Sequence, residues 1–584
     1  MKILMVAANA KYIHSSLALR YIQKYCDKYI THITNLELTI NHNENEALRS
    51  IYDEKPDIVA FSCYIWNMEM IEKLIPTIAK ILPKCKIILG GPEVSYNSEE
   101  LFIKNPDLNL VIEGEGEETW YELMNHYIDD SKDLNQIKGI VYKDKDGVVR
   151  RNLPREPMDL NKIPFVYDDI ATLDNKIIYY EATRGCPFNC QYCLSSIEAG
   201  VRFLDLPRVF EDMQIFLDHN VKQVKFVDRT FNCNIKYAMA IWEFLKKNDN
   251  GITNFHFEIA ADLLTEESIA SLKDTRPTLF QFEIGVQSTN DEVLTIIKRK
   301  MKFAEVSRIV KEIKTFKNIH QHLDLIAGLP KEDIPSFRNS FNDVIEIRPE
   351  QLQLGFLKVL KGSGMHRDAK KYGLVYKDIA PYEILYTSHL SYDDMLRLHA
   401  VEEMVDRFYN SGRFVYSLEY LFTLYDTPFD AVDDLALFWE DCGYHKVKHS
   451  NNAYYDILLE FAMKKTNANI TLMKEIARFD FFLHEKLKNI PENLVTIDQD
   501  EYKDNLREFY KTEGNIEKFL PELVSYTSAQ VSRMAHIEVF SLDVVGCVET
   551  LDFEGVSETI TPVLFNYHAK DVLTKDAKYT RLAF

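Results

Sequence analysis

Nowhere in this 584-residue chain does an apolar run approach the roughly 18 to 20 residues that a membrane-crossing helix needs. The opening, Met1 to Ala10, is apolar, but its core is too short for an export signal and reads as a buried first strand. Positive charge is scarce as well. The chain carries 69 Lys and Arg against 90 Asp and Glu, a net charge of −21, which argues against a nucleic-acid binder, because phosphate contacts need clustered cations. Two thirds of the excess lies in residues 371–584, where 22 Lys and Arg face 36 Asp and Glu. No long run of like charge occurs there, so the region reads as solvated surface. Paired cysteine knuckles are also missing. Of nine cysteines, those at 26, 63, 85, 233, 442 and 547 stand singly. This pattern argues against a disulfide framework and a two-knuckle zinc site, and suits a reducing, cytoplasmic setting.

The strongest chemical signal is Glu181-Ala182-Thr183-Arg184-Gly185-Cys186-Pro187-Phe188-Asn189-Cys190-Gln191-Tyr192-Cys193, a C-x3-C-x2-C triplet just after an apolar, strand-like run. Three thiolates on one short loop can hold three irons of a [4Fe–4S] cube and leave the fourth open to a ligand with its own donor atoms. The spacing, with Tyr192 before the last cysteine, resembles the signature of the radical S-adenosylmethionine (SAM) superfamily. That resemblance implies that Cys186, Cys190 and Cys193 hold the cluster and that SAM is cleaved at its open iron.

At this length several domains are expected. Residues 1–130 alternate short apolar runs with helix-length amphipathic segments, the pattern of a parallel sheet covered on both faces. Strands are predicted at Lys2–Ala7, Ile33–Leu38, Asp57–Ser62, Lys86–Gly90 and Leu110–Glu113, a flavodoxin-like sheet that binds ligands beyond its carboxyl edge. That edge carries His14, Tyr64, Trp66, Gly90-Gly91-Pro92-Glu93 and Gly114-Glu115-Gly116-Glu117. Glycines there let backbone approach a bulky ligand. Gly-Gly-Pro and Gly-Glu-Gly-Glu upstream of a cysteine triplet resemble the module of cobalamin-dependent radical SAM enzymes. The resemblance implies a corrin near Tyr64, Trp66, Gly90, Gly91, Glu93, Gly114, Glu115 and Gly116. The Asp-x-His-x-x-Gly motif is absent, so no protein histidine is expected below cobalt, and His14 reads as a polar helix entry. The loop after strand one, Ala8–Ser16, lacks the cysteine that a methylthiotransferase would place there.

Residues 131–170 read as a hairpin turning at Asp146-Gly147 followed by a proline-punctuated linker. From 171 to 365 six β/α units follow, with strands near 177–183, 223–228, 255–259, 280–285, 321–327 and 351–359, matching the partial (β/α)6 barrel of the radical SAM family. Barrel chemistry sits at strand carboxyl ends. By resemblance, Asp228 and Arg229 meet the SAM amino group, Glu258 ends the third strand, Glu283 and Gln287 contact ribose or the methionine carboxylate, and Ile326 packs on adenine.

Residues 366–584 read as a mainly helical domain, with helices at Ile384–Asn410, Val415–Tyr425, Ala431–Cys442, Ala453–Lys465 and Thr471–Leu487. A small terminal sheet is expected around Ile537–Phe540 and Thr561–Tyr567. The resemblance implies an enzyme that uses the cluster, SAM, cobalamin and a low-potential electron donor such as flavodoxin or ferredoxin to methylate an unactivated carbon. Cyclisation, rearrangement or oxidation without methyl transfer is the alternative, and a non-catalytic cobalamin or cluster sensor is the third reading.

Overall fold

The computed structural model describes residues 1–197, 200–485 and 490–583. The chain forms two compact units, one of residues 1–319, 326–333 and 356–391, the other of 320–325, 334–355 and 392–584.

The first unit begins with a sheet whose strands are β1 (Ile3–Asn9), β2 (Ile33–Thr39), β3 (Ile58–Ser62), β4 (Lys86–Gly90), β5 (Leu110–Ile112), β6 (Ile140–Lys143) and β7 (Val149–Arg151). Their order is β2-β1-β3-β4-β5-β6-β7. The first five are parallel, in the flavodoxin-like order. All seven residues of β1 are buried because it is central and covered on both faces. Ile3, Met5 and Ala7 pack with Leu19 and Trp120 of helices Leu17–Tyr25 and Glu117–Tyr127. Leu4, Val6 and Ala8 pack on the other face with Ala47, Ile51, Ile71 and Ile75 of helices Glu44–Glu54 and Met68–Ile81. The expected hairpin is present, but it adds β6 and β7 antiparallel to the sheet's edge. Buried Ile140 and Val141 give it that attachment.

A second parallel sheet follows in the same unit, with β8 (Ile178–Tyr180), β11 (Gln223–Phe226), β12 (Asn254–Ile259) and β13 (Phe280–Gln287) paired in succession. Between β8 and β11 lies the hairpin of β9 (Thr183–Cys186) and β10 (Gly200–Phe203). Strict alternation organises these strands. Phe257, Phe280 and Phe282 pack onto Trp242 of helix Ile235–Lys247, and Phe226 packs on Phe257 with rings 4.6 Å apart. The intervening Lys225, His256, Glu258 and Glu283 occupy the opposite face. The chain then continues through β14 (His320–Ala327) and β15 (Gln351–Phe356), completing six strands that alternate with helices.

Ile384–Asn410 is not one helix. Ile384–Tyr386 is strand β17, paired with β16 (Val375–Tyr376), and the helix begins at Tyr392. The Thr387 hydroxyl accepts the N–H groups of His389 and Leu390, making a turn that breaks the apolar periodicity.

The second unit is mainly helical, with Tyr392–Met404, Val415–Phe422, Pro428–Asp441, Asn451–Met463 and Ile470–His484 as its larger helices. The predicted end of the last, Leu487, lies outside the described residues. A terminal sheet of β18 (Ala535–Phe540), β19 (Thr561–Lys570) and β20 (Ala577–Arg581) encloses its own core of Phe509, Leu523, Val531, Ile537 and Leu564. The third strand adds to the two expected.

Candidate functional site

The cysteine loop grows from the β9–β10 hairpin, where Cys186 faces Gly200 and Arg184 faces Arg202. Gly185 has φ +100°, and a Cβ there would come within 2.3 Å of the Gly200 carbonyl oxygen, so the turn into Cys186 requires glycine. All three thiols are free of disulfides. Cys190 is buried, while Cys186 and Cys193 are partly exposed. Burial pushes the Cys190 thiol up, and the Arg299 guanidinium beside it opposes the rise. Tyr192 lies against the same pair. Cys186 Sγ is 3.6 Å from Thr230 Oγ1. A fourth thiol, Cys233, lies within electrostatic reach of Cys186, and burial raises it to about 11.

Asp228 is fully buried. Its carboxylate accepts from Ala182 N at 3.0 Å and Thr183 Oγ1 at 2.6 Å, so it pins the stem of the cysteine loop. Burial lifts it to about 7 against those two donors. Arg229 and Glu258 face each other electrostatically, and burial raises Glu258. Glu283 pairs with Lys225 Nζ at 3.0 Å and lies 3.1 Å from His256 Nε2, and these two neighbours overcome burial to hold it down at about 2, while burial depresses His256 itself. Gln287 has φ +72° and folds back over Gly285, whose Cβ would lie 2.3 Å from its amide nitrogen. Ile326 is half-buried at the end of β14.

At the edge of the first sheet, Tyr64 and Trp66 stack with centroids 4.3 Å apart. Trp66 is 44% exposed, and its ring N–H donates to the Ala8 carbonyl at 3.1 Å. Gly90 ends β4, and Gly91 has φ +117°, with a would-be Cβ 2.6 Å from Cys63 O. Gly114 borders open space and Gly116 starts a helix. The acidic side chains of these loops are spent on protein. Glu93 is buried against Tyr382 and Lys361. Glu115 accepts from Arg202 Nη2 at 2.5 Å and Met158 N at 2.9 Å and lies 3.3 Å from Arg184. His14 Nδ1 is 2.5 Å from Tyr179 Oη of β8, a bridge between the two sheets of this unit.

The decisive arrangement centres on Arg184, two residues before Cys186. Its guanidinium donates to Glu181 at 2.7 and 3.0 Å and to Glu117 at 2.9 Å. The cysteine loop is therefore tied directly to the Gly-Glu-Gly-Glu turn. Sequence reasoning passed over Arg184, Arg202, Arg299, Lys225 and His256. Strand alternation could have found the last two.

Three soft thiol donors of different depth on one loop, with a guanidinium at one of them, suit a cluster in which each thiolate meets its own iron. Among the described residues, no three His, Cys, Asp or Glu converge as a single metal ion would require.

Residues 3–124 match the B12 binding domain, residues 180–344 the radical SAM superfamily, and residues 370–565 a family described as a protein of unknown function, DUF4080. The chain thus carries a B12 binding domain followed by a radical SAM domain. It is 26% identical over 326 residues to the 2-(S-pantetheinyl)-carbapenam-3-carboxylate methyltransferase of Streptantibioticus cattleyicolor, covering 50% of this chain and 45% of that one. It is 26% identical over 342 residues to the cobalamin-dependent radical SAM methyltransferase TokK of Streptomyces tokunonensis, covering 55% and 50%. The chain thus spans about half the length of these curated relatives. The solved structure of the cobalamin-dependent SAM radical enzyme OxsB with aqua-cobalamin bound has the same fold, with a TM-score of 0.57, 15% identity and coverage of 90% and 84%. Among the described residues, no helix is long and apolar enough to cross a membrane.

Proposed function

We propose that this cobalamin-dependent radical SAM protein transfers a methyl group to an unactivated carbon of a small molecule. Cys186, Cys190 and Cys193 would hold the cluster, and the loops of Tyr64–Trp66, Gly90–Gly91 and Gly114–Gly116 would hold the corrin mainly through rings and backbone. Glu258, Gln287 and Ile326 are assigned to SAM. When bound, these cofactors supply reductive SAM cleavage and a transferable methyl group.

The protein's own residues fix and seal the site. Asp228 holds the loop stem through Ala182 and Thr183. Arg299 offsets the cost of ionising Cys190 in a buried position. Lys225 neutralises Glu283 beside His256 on the polar face of the strands. The observation that carries the reading is the Arg184 link, which sets the cysteine loop beside the Gly-Glu-Gly-Glu turn within one compact unit. Radical transfer needs near-contact geometry, and that link supplies a fixed spacing.

The test is anaerobic incubation of the reconstituted chain with cobalamin, labelled SAM and a low-potential reductant. Methyl transfer predicts 5′-deoxyadenosine together with S-adenosylhomocysteine. Formation of 5′-deoxyadenosine without any cobalamin bound would reject the proposal.

A further inference from the structure

The densest positive run in the chain, Lys298-Arg299-Lys300-Met301-Lys302, leaves helix Asp291–Ile296 and leads into helix Phe303–Lys314. Residues 293–304 hold these four cations and no Asp or Glu, in a chain whose net charge is −21. Arg299 turns inward and donates to the Gly285 carbonyl at 2.5 Å. Lys298, Lys300 and Lys302 are exposed, and none of them makes an ion pair among the described residues. The first acid after the run, Glu305, is engaged by Arg308 at 2.8 Å.

This run is bonded to the cysteine loop. Gln191, between Cys190 and Cys193, donates its backbone N–H to the Ile297 carbonyl at 2.9 Å. Its own carbonyl accepts from Met365 N at 2.8 Å, and its side-chain oxygen from Arg367 Nη2 at 3.2 Å. Gln191 is buried there, and a Cβ on Gly364 would collide with its side-chain oxygen, so the second segment lies close against the loop. Just beyond Arg367 that segment carries exposed Lys370 and Lys371, while its acid, Asp368, lies 3.3 Å from Arg367. Two lysine-bearing segments therefore converge on one residue of the loop that carries the thiols. The loop itself is exposed at Pro187 and Asn189, and all of these residues belong to the first compact unit.

We propose that this face docks an acidic, low-potential electron-carrier protein through Lys298, Lys300 and Lys302, with Lys370 and Lys371 beside them. The inference rests on the reading that the loop holds a redox cluster, and it adds the partner surface through which the electron enters. One electron passes from the reduced carrier, which is thereby oxidised, to the cluster held by the loop, and no bond or proton moves with it. Exposed lysines steer an oppositely charged partner and raise its association rate. A chain that is acidic as a whole repels such a partner on average, so a local basic face also selects the orientation in which it lands.

The full chain, reconstituted anaerobically, is titrated by calorimetry with a flavodoxin and with a ferredoxin, and with ovalbumin as an acidic protein that has no redox centre. Expected is saturable binding of a carrier at low ionic strength, weakened roughly tenfold or more when Lys298→Glu, Lys300→Glu and Lys302→Glu are combined, with the gap closing as salt is raised. By stopped flow the same variant should take electrons from the photoreduced carrier roughly tenfold more slowly, yet keep wild-type iron content and wild-type reduction by dithionite. Combining Lys446→Glu, Lys448→Glu and Lys578→Glu, three exposed lysines of the second unit, should leave binding and rate unchanged. Lys298→Gln, Lys300→Gln and Lys302→Gln together remove the charge without reversing it, should give an intermediate loss, and serve if the glutamate variant fails to fold. No saturable binding of either carrier, equal binding by wild type and variant, equal binding of ovalbumin, or an equal loss in the second-unit variant overturns the proposal. Failure of the dithionite-reduced wild type to cleave SAM would instead remove the functional reading and leave the docking result standing.

Discussion

Replacing Arg184 by methionine removes a cation shared by Glu117, Glu181 and Glu115. The Arg184 side chain is 18% exposed and Glu117 only 6%, so the pair falls in the buried class rather than the surface class worth ~0–1 kcal/mol. Breaking a buried pair by deleting one partner costs about 3–5 kcal/mol, because the remaining charge stays desolvated. Arg202 still pairs with Glu115, which places the expectation at the lower end of about 3–5 kcal/mol. The loss also depends on pH. Burial pushes Glu115 up, but its bond to Arg202 and the charge of Arg184 more than offset this and hold it below the ordinary carboxylate range. A carboxylate so depressed stabilises the fold above its unfolded pKa of roughly 4.3, and that contribution fades as pH falls through the folded value. The gap between wild type and variant is therefore widest near neutrality and narrows in acid. Urea unfolding of the full chain followed by circular dichroism at several pH values measures it. A loss under ~1 kcal/mol, unchanged between neutral and acid pH, would refute the reasoning.

Other consequences follow from single residues. Cys233→Ala should keep the wild-type iron content after anaerobic reconstitution, while Cys186→Ala, Cys190→Ala or Cys193→Ala should lose the cluster; iron and sulfide analysis decides. Asp228→Ala leaves the Ala182 N–H and the Thr183 hydroxyl without their acceptor, a loss of about 1–3 kcal/mol per group, and should lower cluster retention more than Asp228→Asn. Burial raises Asp480 to about 7 although the Ser417 hydroxyl and N–H donate to it. A carboxyl raised in the folded state favours stability in acid, and that contribution is lost as pH rises toward 7. Asp480→Asn should flatten the stability profile between about pH 4 and 7, read by thermal unfolding.

The parts of this fold written in local pattern were legible in the sequence. Strand β1 alternates its side chains between two helix layers, and the Phe-His-Phe-Glu-Ile run of β12 separates a packed face from a polar one. Cysteine spacing is equally local. What escaped was set by distant partners. Glu115 and Glu93 looked like ligand residues on glycine loops, yet their carboxylates serve Arg202, 87 residues away, and Tyr382, 289 away. The hairpin of β6 and β7 could be foreseen, but its attachment to β5 depends on burying Ile140 and Val141. The apolar residues after Ile384 mimicked a helix until a threonine turn interrupted them.

The central claim is an iron cube held by three cysteines, with its remaining corner free for SAM, beside a bound corrin. Electron paramagnetic resonance of the reduced, cobalamin-loaded chain, recorded before and after SAM is added, addresses it most directly. The account predicts a [4Fe–4S] signal whose spectrum changes on SAM addition. A spectrum indifferent to SAM, or no such cluster in a chain that folds and binds cobalamin, would contradict it.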